Sequence, residues 1–101
     1  MKVFIDDRAN KELCQFSLLI QVKFKALFKL LKLKGRLEFP DSKKLDKKLY
    51  EIRVKFQGEY RGFYAYIQKN SAIILHCFQK KTQKTPLKNL KTARRRLKFY
   101  E

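Results

Sequence analysis

Near the C-terminus the only histidine, His76, stands two residues before Phe78, and Lys80, Lys81 and Lys84 follow closely. Earlier in the chain Glu51, Arg53 and Lys55 recur at every second position, and Arg61 lies in the next alternating run. A proton acceptor, an aromatic ring and several fixed cations suit metal-free cleavage of an RNA strand. In that reaction the 2′-hydroxyl loses a proton as it attacks the adjacent phosphorus, and the 5′-oxygen gains one. The phosphorane between them must be met by positive charge. His76 or Glu51 is the candidate base, since an imidazole can take up a proton near neutrality. Arg53 and Arg61 are candidates for gripping the phosphorane through paired N–H groups, Lys80 for a further catalytic cation, and Phe78 for stacking a splayed base. Lys55, Lys81 and Lys84 would hold flanking phosphates. The plainer alternative is a histidine packed at the end of an apolar strand, a core phenylalanine and a sheet-face ion pair. Spacing alone leaves enzyme and binding module both open. One histidine without a carboxylate cluster makes a poor metal site, so neither metal nor other cofactor is expected.

These residues need a sheet to bring them together. From Leu49 the pattern has a period of two: Tyr50, Ile52, Val54 and Phe56 alternate with Glu51, Arg53 and Lys55, which predicts a strand with one buried and one charged face. Gln57-Gly58-Glu59 reads as a hairpin connection, Tyr60 to Gln68 as a second strand, Lys69-Asn70-Ser71 as a turn, and Ala72 to Gln79 as a strand apolar on both faces. Upstream, Val3 to Ile5 can form a short strand, and Asp6 and Asp7 can cap a helix beginning near Arg8. Ile20, Phe24, Leu27, Phe28 and Leu31 form the apolar stripe of a second helix that Gly35 ends. Ser17 is the expected break, giving two antiparallel helices. Phe39-Pro40-Asp41-Ser42 reads as a turn, followed by a basic loop around Leu45. After Pro86, Leu87, Leu90, Ala93 and Leu97 mark a last amphipathic helix whose other side carries Lys88, Lys91, Arg94, Arg95, Arg96 and Lys98. The expectation is one α+β domain over residues 1–101. Its helices pack on a mostly antiparallel sheet of three to four strands, and one sheet face stays open for a ligand.

Composition limits the partners. With 26 Lys+Arg against 9 Asp+Glu the formal net charge is +17, which points to nucleic acid first and an anionic membrane second. At 45% hydrophobic and 14% aromatic residues the chain is too apolar for a disordered basic tail. Cys14 and Cys77 are too few and too far apart for a metal knuckle or disulfide framework, and both read as reduced, structural residues. Two acids at positions 6 and 7 interrupt any signal peptide, and four lysines fall within the apolar-rich stretch 16–33. A cytoplasmic protein without a membrane partner is expected.

Several blocks carry a resemblance: Ser42-Lys43-Lys44-Leu45, Leu49-Tyr50-Glu51-Ile52-Arg53, Glu59-Tyr60-Arg61-Gly62-Phe63-Tyr64, and His76 through Pro86. In order and spacing they are similar to the HigB-type, phage-related branch of the RelE/ParE toxin superfamily, over about two-thirds of the chain. The resemblance implies a RelE-like fold and the toxin of a type II toxin-antitoxin pair, an endonuclease that cuts messenger RNA in the decoding site of the ribosome. It also implies a cognate helix-turn-helix antitoxin, with operator DNA reached only through that antitoxin. By position it places catalytic cations at Arg53 and Arg61, a phosphate-binding cation at Lys80 or Lys81, a stacking aromatic near Phe78 and a carboxylate base at Glu51. Tyr50 replaces the family's tryptophan, and Gly62 could shift the aim of Arg61. Because gyrase-poisoning ParE-like toxins share the fold, the target stays open between RNA and gyrase. A non-enzymatic basic protein that binds RNA or the ribosome is the other alternative.

Overall fold

Asp6 is the point at which the chain turns from strand to helix. Its buried carboxylate accepts hydrogen bonds from the amides of Arg8 (2.9 Å) and Ala9 (3.2 Å), filling two of the donors that a helix start leaves open. In the computed structural model, which describes residues 1–84 and 86–101, this helix, α1 (Asp7–Leu13), follows a short strand β1 (Lys2–Ile5). Ser17 caps the longer α2 (Leu18–Lys34) through the Ile20 amide, so the expected break falls at Ser17. Gly35, at φ 78°, ends α2 in the left-handed region that glycine enters without a Cβ penalty.

The remaining elements are β2 (Ser42–Lys44), β3 (Tyr50–Lys55), β4 (Glu59–Ile67), β5 (Ser71–Lys80) and α3 (Leu87–Leu97). They complete the expected α+β fold with one more strand than the top of the predicted range. The sheet has five strands in the order β1-β5-β4-β3-β2, antiparallel except for the β1/β5 pair. The extra strand arises where turn and basic loop were expected: Ser42 pairs with Ile52 and Lys44 with Tyr50. The Ser42 hydroxyl, buried against the Tyr64 hydroxyl at 3.1 Å, holds β2 to the sheet interior.

Two cores sandwich the sheet. On one face Phe24, Phe28 and Leu31 of α2 and Ala9 and Leu13 of α1 pack on Ile52, Val54, Tyr64, Ile74 and Cys77. On the other, Ala93 and Leu97 of α3 cover Leu49, Phe63, Ala65, Ile73 and Leu75. The sequence pattern is corrected here in four respects. The third helix lies on the face expected to be wholly open and leaves only the far part of it bare. The first two helices take the sheet as their main partner: α1 lies against β5, and α2 against β1 and β3. Arg96, counted on the solvent side of α3, is 9% exposed, while Leu87, counted in its apolar stripe, is 71% exposed. Cys14 is exposed, and only Cys77 is the buried cysteine expected.

Candidate functional site

Strict alternation along β5 would put His76 and Phe78 on the α2 side of the sheet with Ala72 and Ile74. A β-bulge reverses this. Tyr64 pairs with Ile74 but Phe63 pairs with His76, so Leu75 is the extra residue, and every later side chain of β5 changes face. Three cross-strand rows result on the α3 side of the sheet: Glu51, Phe63 and His76, where Phe63 and His76 lie under α3; then Arg53, Arg61 and Phe78; then Lys55, Glu59 and Lys80. Directly opposed residues of antiparallel strands share a face. Glu51, Arg53, Lys55, Arg61, His76, Phe78 and Lys80, assembled from spacing alone, therefore occupy one surface. Lys81 and Lys84 are exposed in the segment after β5, beside it; Thr85, the next residue of the C-terminal block, lies outside the described residues.

The middle row is an ion-pair lattice. Arg53 Nε donates to Glu51 Oε1 at 2.9 Å. Arg61, 5% exposed, donates from Nη2 to Glu59 Oε2 at 3.0 Å and from Nη1 to its neighbour's carbonyl at Tyr60 (3.1 Å). Its Nε lies 3.4 Å from Glu51 Oε2, within ion-pair range but poorly aligned, and makes no hydrogen bond among the described residues. A buried N–H without an acceptor costs free energy until an acceptor arrives. Arg53, Lys55, Glu59 and Arg61, with Pro40 and Asp41, wall a pocket of about 400 Å³. Gly62, which the sequence marked as a threat to the aim of Arg61, faces the opposite way: a Cβ there would lie 3.2 Å from the Phe24 ring, so the glycine makes room for α2.

Glu59 is the acid that sequence reasoning passed over as part of a turn. It sits between Lys55 and Lys80 in the ladder, two residues along β4 from Arg61, and borders both the Arg53/Arg61 pocket and a second one of about 330 Å³ beside Lys80 and Lys81. The Arg61 charge and hydrogen bond, opposed by slight desolvation and helped by Lys55 and Lys80, hold its carboxyl below the usual glutamate range. Glu59 stays 40% exposed, whereas Glu51 is 3% exposed with both oxygens facing guanidinium groups. Of the two, only Glu59 can reach a substrate.

His76 is enclosed. Its Nδ1 lies 2.9 Å from Glu12 Oε1 and its Nε2 lies 2.7 Å from Asn89 Nδ2. The Glu12 carboxylate can only accept, so Nδ1 donates to it, and the Asn89 side-chain amide closes off the other ring nitrogen. Glu12 also receives Arg96 through Nη1 and Nη2, both at 2.9 Å, and the Cys77 amide at 3.2 Å. Burial alone would raise the Glu12 carboxyl; the bonds from His76, Arg96 and the Cys77 amide overcome it and bring it down to about 2. The reason for this cluster lies in the sheet. The β1 ladder ends at Ile5 opposite Ile74, which leaves the edge of β5 beyond it without a partner strand among the described residues. Glu12 fills the Cys77 N–H and Arg96 Nη1 the Leu75 carbonyl at 2.9 Å. The His76 ring stacks on Phe78 at 5.2 Å and 21°, and Phe63 meets Phe78 edge-on at 5.0 Å. Burial pushes the Cys77 thiol up to about 12, which makes it inert. No pattern in the sequence marked Glu12 or Asn89, because each acts through a tertiary pairing. Among the described residues no cluster of His, Cys, Asp and Glu could hold a metal ion, and no helix is long and apolar enough to cross a membrane.

Comparison with known proteins gives the family. Residues 11–98 match the family described as phage derived protein Gp49-like. No curated protein matches the chain in sequence. Among solved structures, the chain is similar to a mutant of E. coli toxin RelE in the free state, with a TM-score of 0.73 and 19% identity over 95% of this chain and 96% of that one. The intact E. coli RelBE toxin-antitoxin complex gives 0.65 and 20% identity over 80% and 98%. The isolated E. coli RelE toxin gives 0.66 and 18% identity over 92% and 96%. The chain belongs to the Gp49-like family of phage-derived proteins and has the RelE fold.

Proposed function

We propose that this chain is the toxin of a type II toxin-antitoxin pair, of the HigB-type branch, and that it cuts translated messenger RNA on the ribosome. The observation that carries the reading is the row of Arg53, Arg61 and Phe78 on an uncovered sheet face, flanked by Lys55, Glu59 and Lys80. The RelE structures it is similar to are those of a toxin with an antitoxin partner, and the sequence resemblance adds a helix-turn-helix antitoxin through which operator DNA is reached. In the proposed mechanism Arg53 and Arg61 meet the phosphorane, with the Arg61 Nε–H gaining its acceptor from a phosphoryl oxygen. Phe78 stacks a base next to the scissile phosphate. Glu59 takes the 2′-hydroxyl proton and Lys80 returns one to the 5′-oxygen. A carboxylate with a depressed pKa is a weak base, so most of the acceleration falls to charge stabilisation and alignment. Glu51 and His76 support the site: one orients the two arginines, the other the Phe78 ring. Lys81 and Lys84 bind flanking phosphates. Action in the cytoplasm follows from the ribosomal target.

The test is induction of the chain without its antitoxin, followed by mapping of messenger 5′ ends. New cleavage ends with growth arrest are expected; uncut messages with unaffected growth would overturn the reading. A second reading, a non-enzymatic RNA- or ribosome-binding protein, draws support from the enclosure of both Glu51 and His76. Under it, Arg53→Ala weakens binding modestly and no cleavage exists to lose. Growth arrest with DNA-damage signalling in place of message loss would instead mark a gyrase-directed toxin.

A further inference from the structure

Phe39 is 76% exposed, and its position in the fold is fixed. The loop that bears it is tied to the sheet by three hydrogen bonds: the Arg53 amide to the Asp41 carbonyl at 2.8 Å, the Ser42 amide to the Glu38 carbonyl at 3.1 Å, and the Tyr66 hydroxyl to the Gly35 carbonyl at 3.0 Å. The Arg53 guanidinium stands over one face of the Phe39 ring, 5.9 Å from its centroid. The rest of the ring is open to solvent, and its chain neighbour Pro40 lines a pocket with Asp41, Arg53 and Arg61. Phe39 thus extends the middle row outward, so that two aromatic rings, Phe39 and Phe78, bracket two arginines.

We propose that Phe39 is a second base-stacking platform, and that the site takes an unpaired RNA segment with one base on Phe39, another on Phe78 and the phosphate between them on Arg53. The proposal rests on the reading of the chain as an RNA-binding toxin and names the form of RNA it takes. Three physical points support it. An exposed ring with a cation on one face is already oriented for a flat partner on the other, and stacking on such rings is tolerant of base identity. The Phe39 ring lies against Arg53 of β3, and β5, which bears Phe78, is two strand spacings or roughly 10 Å from β3, whereas stacked bases repeat at about 3.4 Å along a strand. Bases held on the two rings must therefore be pulled apart from each other, which a duplex cannot do without melting. The pocket beside Arg53 and Arg61 carries two guanidinium groups, the geometry that suits a bridging phosphate.

The chain contains no tryptophan, so Phe39→Trp introduces its only indole. At low salt, a short single-stranded RNA should quench the emission of that variant, and an abasic strand of the same length should not. Phe39→Ala should bind the single-stranded RNA about tenfold more weakly than the unaltered chain, with its affinity for the abasic strand unchanged. Duplex RNA should bind with no dependence on residue 39. Equal quenching by the abasic strand, or unaltered affinity in Phe39→Ala, would overturn the platform while leaving RNA binding intact. Failure of the unaltered chain to bind any of the three RNAs would overturn both the platform and the RNA-binding reading it rests on.

Discussion

Each arginine of the central row is held by a carboxylate, and the two pairs differ in what they leave free. Arg53 is 29% exposed and gives only its Nε to Glu51, whereas Arg61 is almost wholly enclosed between Glu51 and Glu59. Arg53→Ala should therefore lower cleavage about 100- to 1000-fold, the scale of removing one donor from a developing anion. It should also cost about 2 kcal/mol of stability, because it takes a charge-assisted hydrogen bond from the buried Glu51. Messenger 5′-end mapping and urea unfolding of the same variant separate the two effects. Glu59→Gln tests the proton acceptor. Cleavage should fall about 100-fold or more with little change in unfolding. Since Arg61 holds Glu59 below the usual glutamate range, the acceptor stays ionised at and above that range. The rate should then show no acid limb until the pH drops beneath it, and a limb near neutrality would assign the base elsewhere.

At the scale of elements the decisive feature is the end of the β1 ladder and the bulge at Leu75. Glu12 from α1 and Arg96 from α3 fill the unpaired edge of β5, and the same cluster holds His76 against Phe78. Glu12→Ala should cost about 3 kcal/mol, since it leaves the Arg96 charge without its buried partner and the Cys77 amide without an acceptor; thermal or urea unfolding measures it. His76→Gln should lose stability and keep cleavage, whereas loss of cleavage in the folded variant would make His76 catalytic. On the opposite face, Gly62→Ala should destabilise by about 1 kcal/mol through crowding of Phe24.

Across the whole molecule, acid sensitivity follows from two carboxylates that join distant parts of the chain. Asp6 binds Arg8 and the Tyr100 hydroxyl, and Glu12 binds Arg96 and His76. Both are depressed: at Asp6, burial opposes the shift and the bonds from Arg8 and Tyr100 outweigh it. A group with a lowered folded pKa stabilises fully above its unfolded value and loses that contribution as pH falls. For Glu12 the loss should run from its ordinary 4.5 down to about 2 and reach about 3 kcal/mol. Urea midpoints measured down that range should fall in the parent and fall less steeply in Glu12→Ala, where Asp6 keeps its own share of the acid loss. The net charge of +17 acts through a different variable, ionic strength. Affinity for single-stranded RNA should drop with log salt at a slope of about −0.7 per neutralised phosphate, and replacing Lys80, Lys81 and Lys84 by alanine should flatten that slope.

The sequence by itself determined the alternating face of β3, the apolar stripe of α2, the turns on either side of β4 and the excess of cations. Each of these is written in local periodicity, and local periodicity follows from the geometry of one strand or one helix. It also brought out Arg53, Arg61, Phe78 and Lys80. It could not show the strand at Ser42–Lys44, whose three residues are defined by their partners in β3. Nor could it show that Arg96 turns inward: an arginine in a basic run looks solvated until Glu12, 84 residues away, is brought within 2.9 Å. Above all, alternation alone would have put His76 and Phe78 on the face opposite Arg61. Only the tertiary structure placed them beside it, because one bulged residue changes the facing of every residue after it, and a bulge exists only in the pairing of two strands.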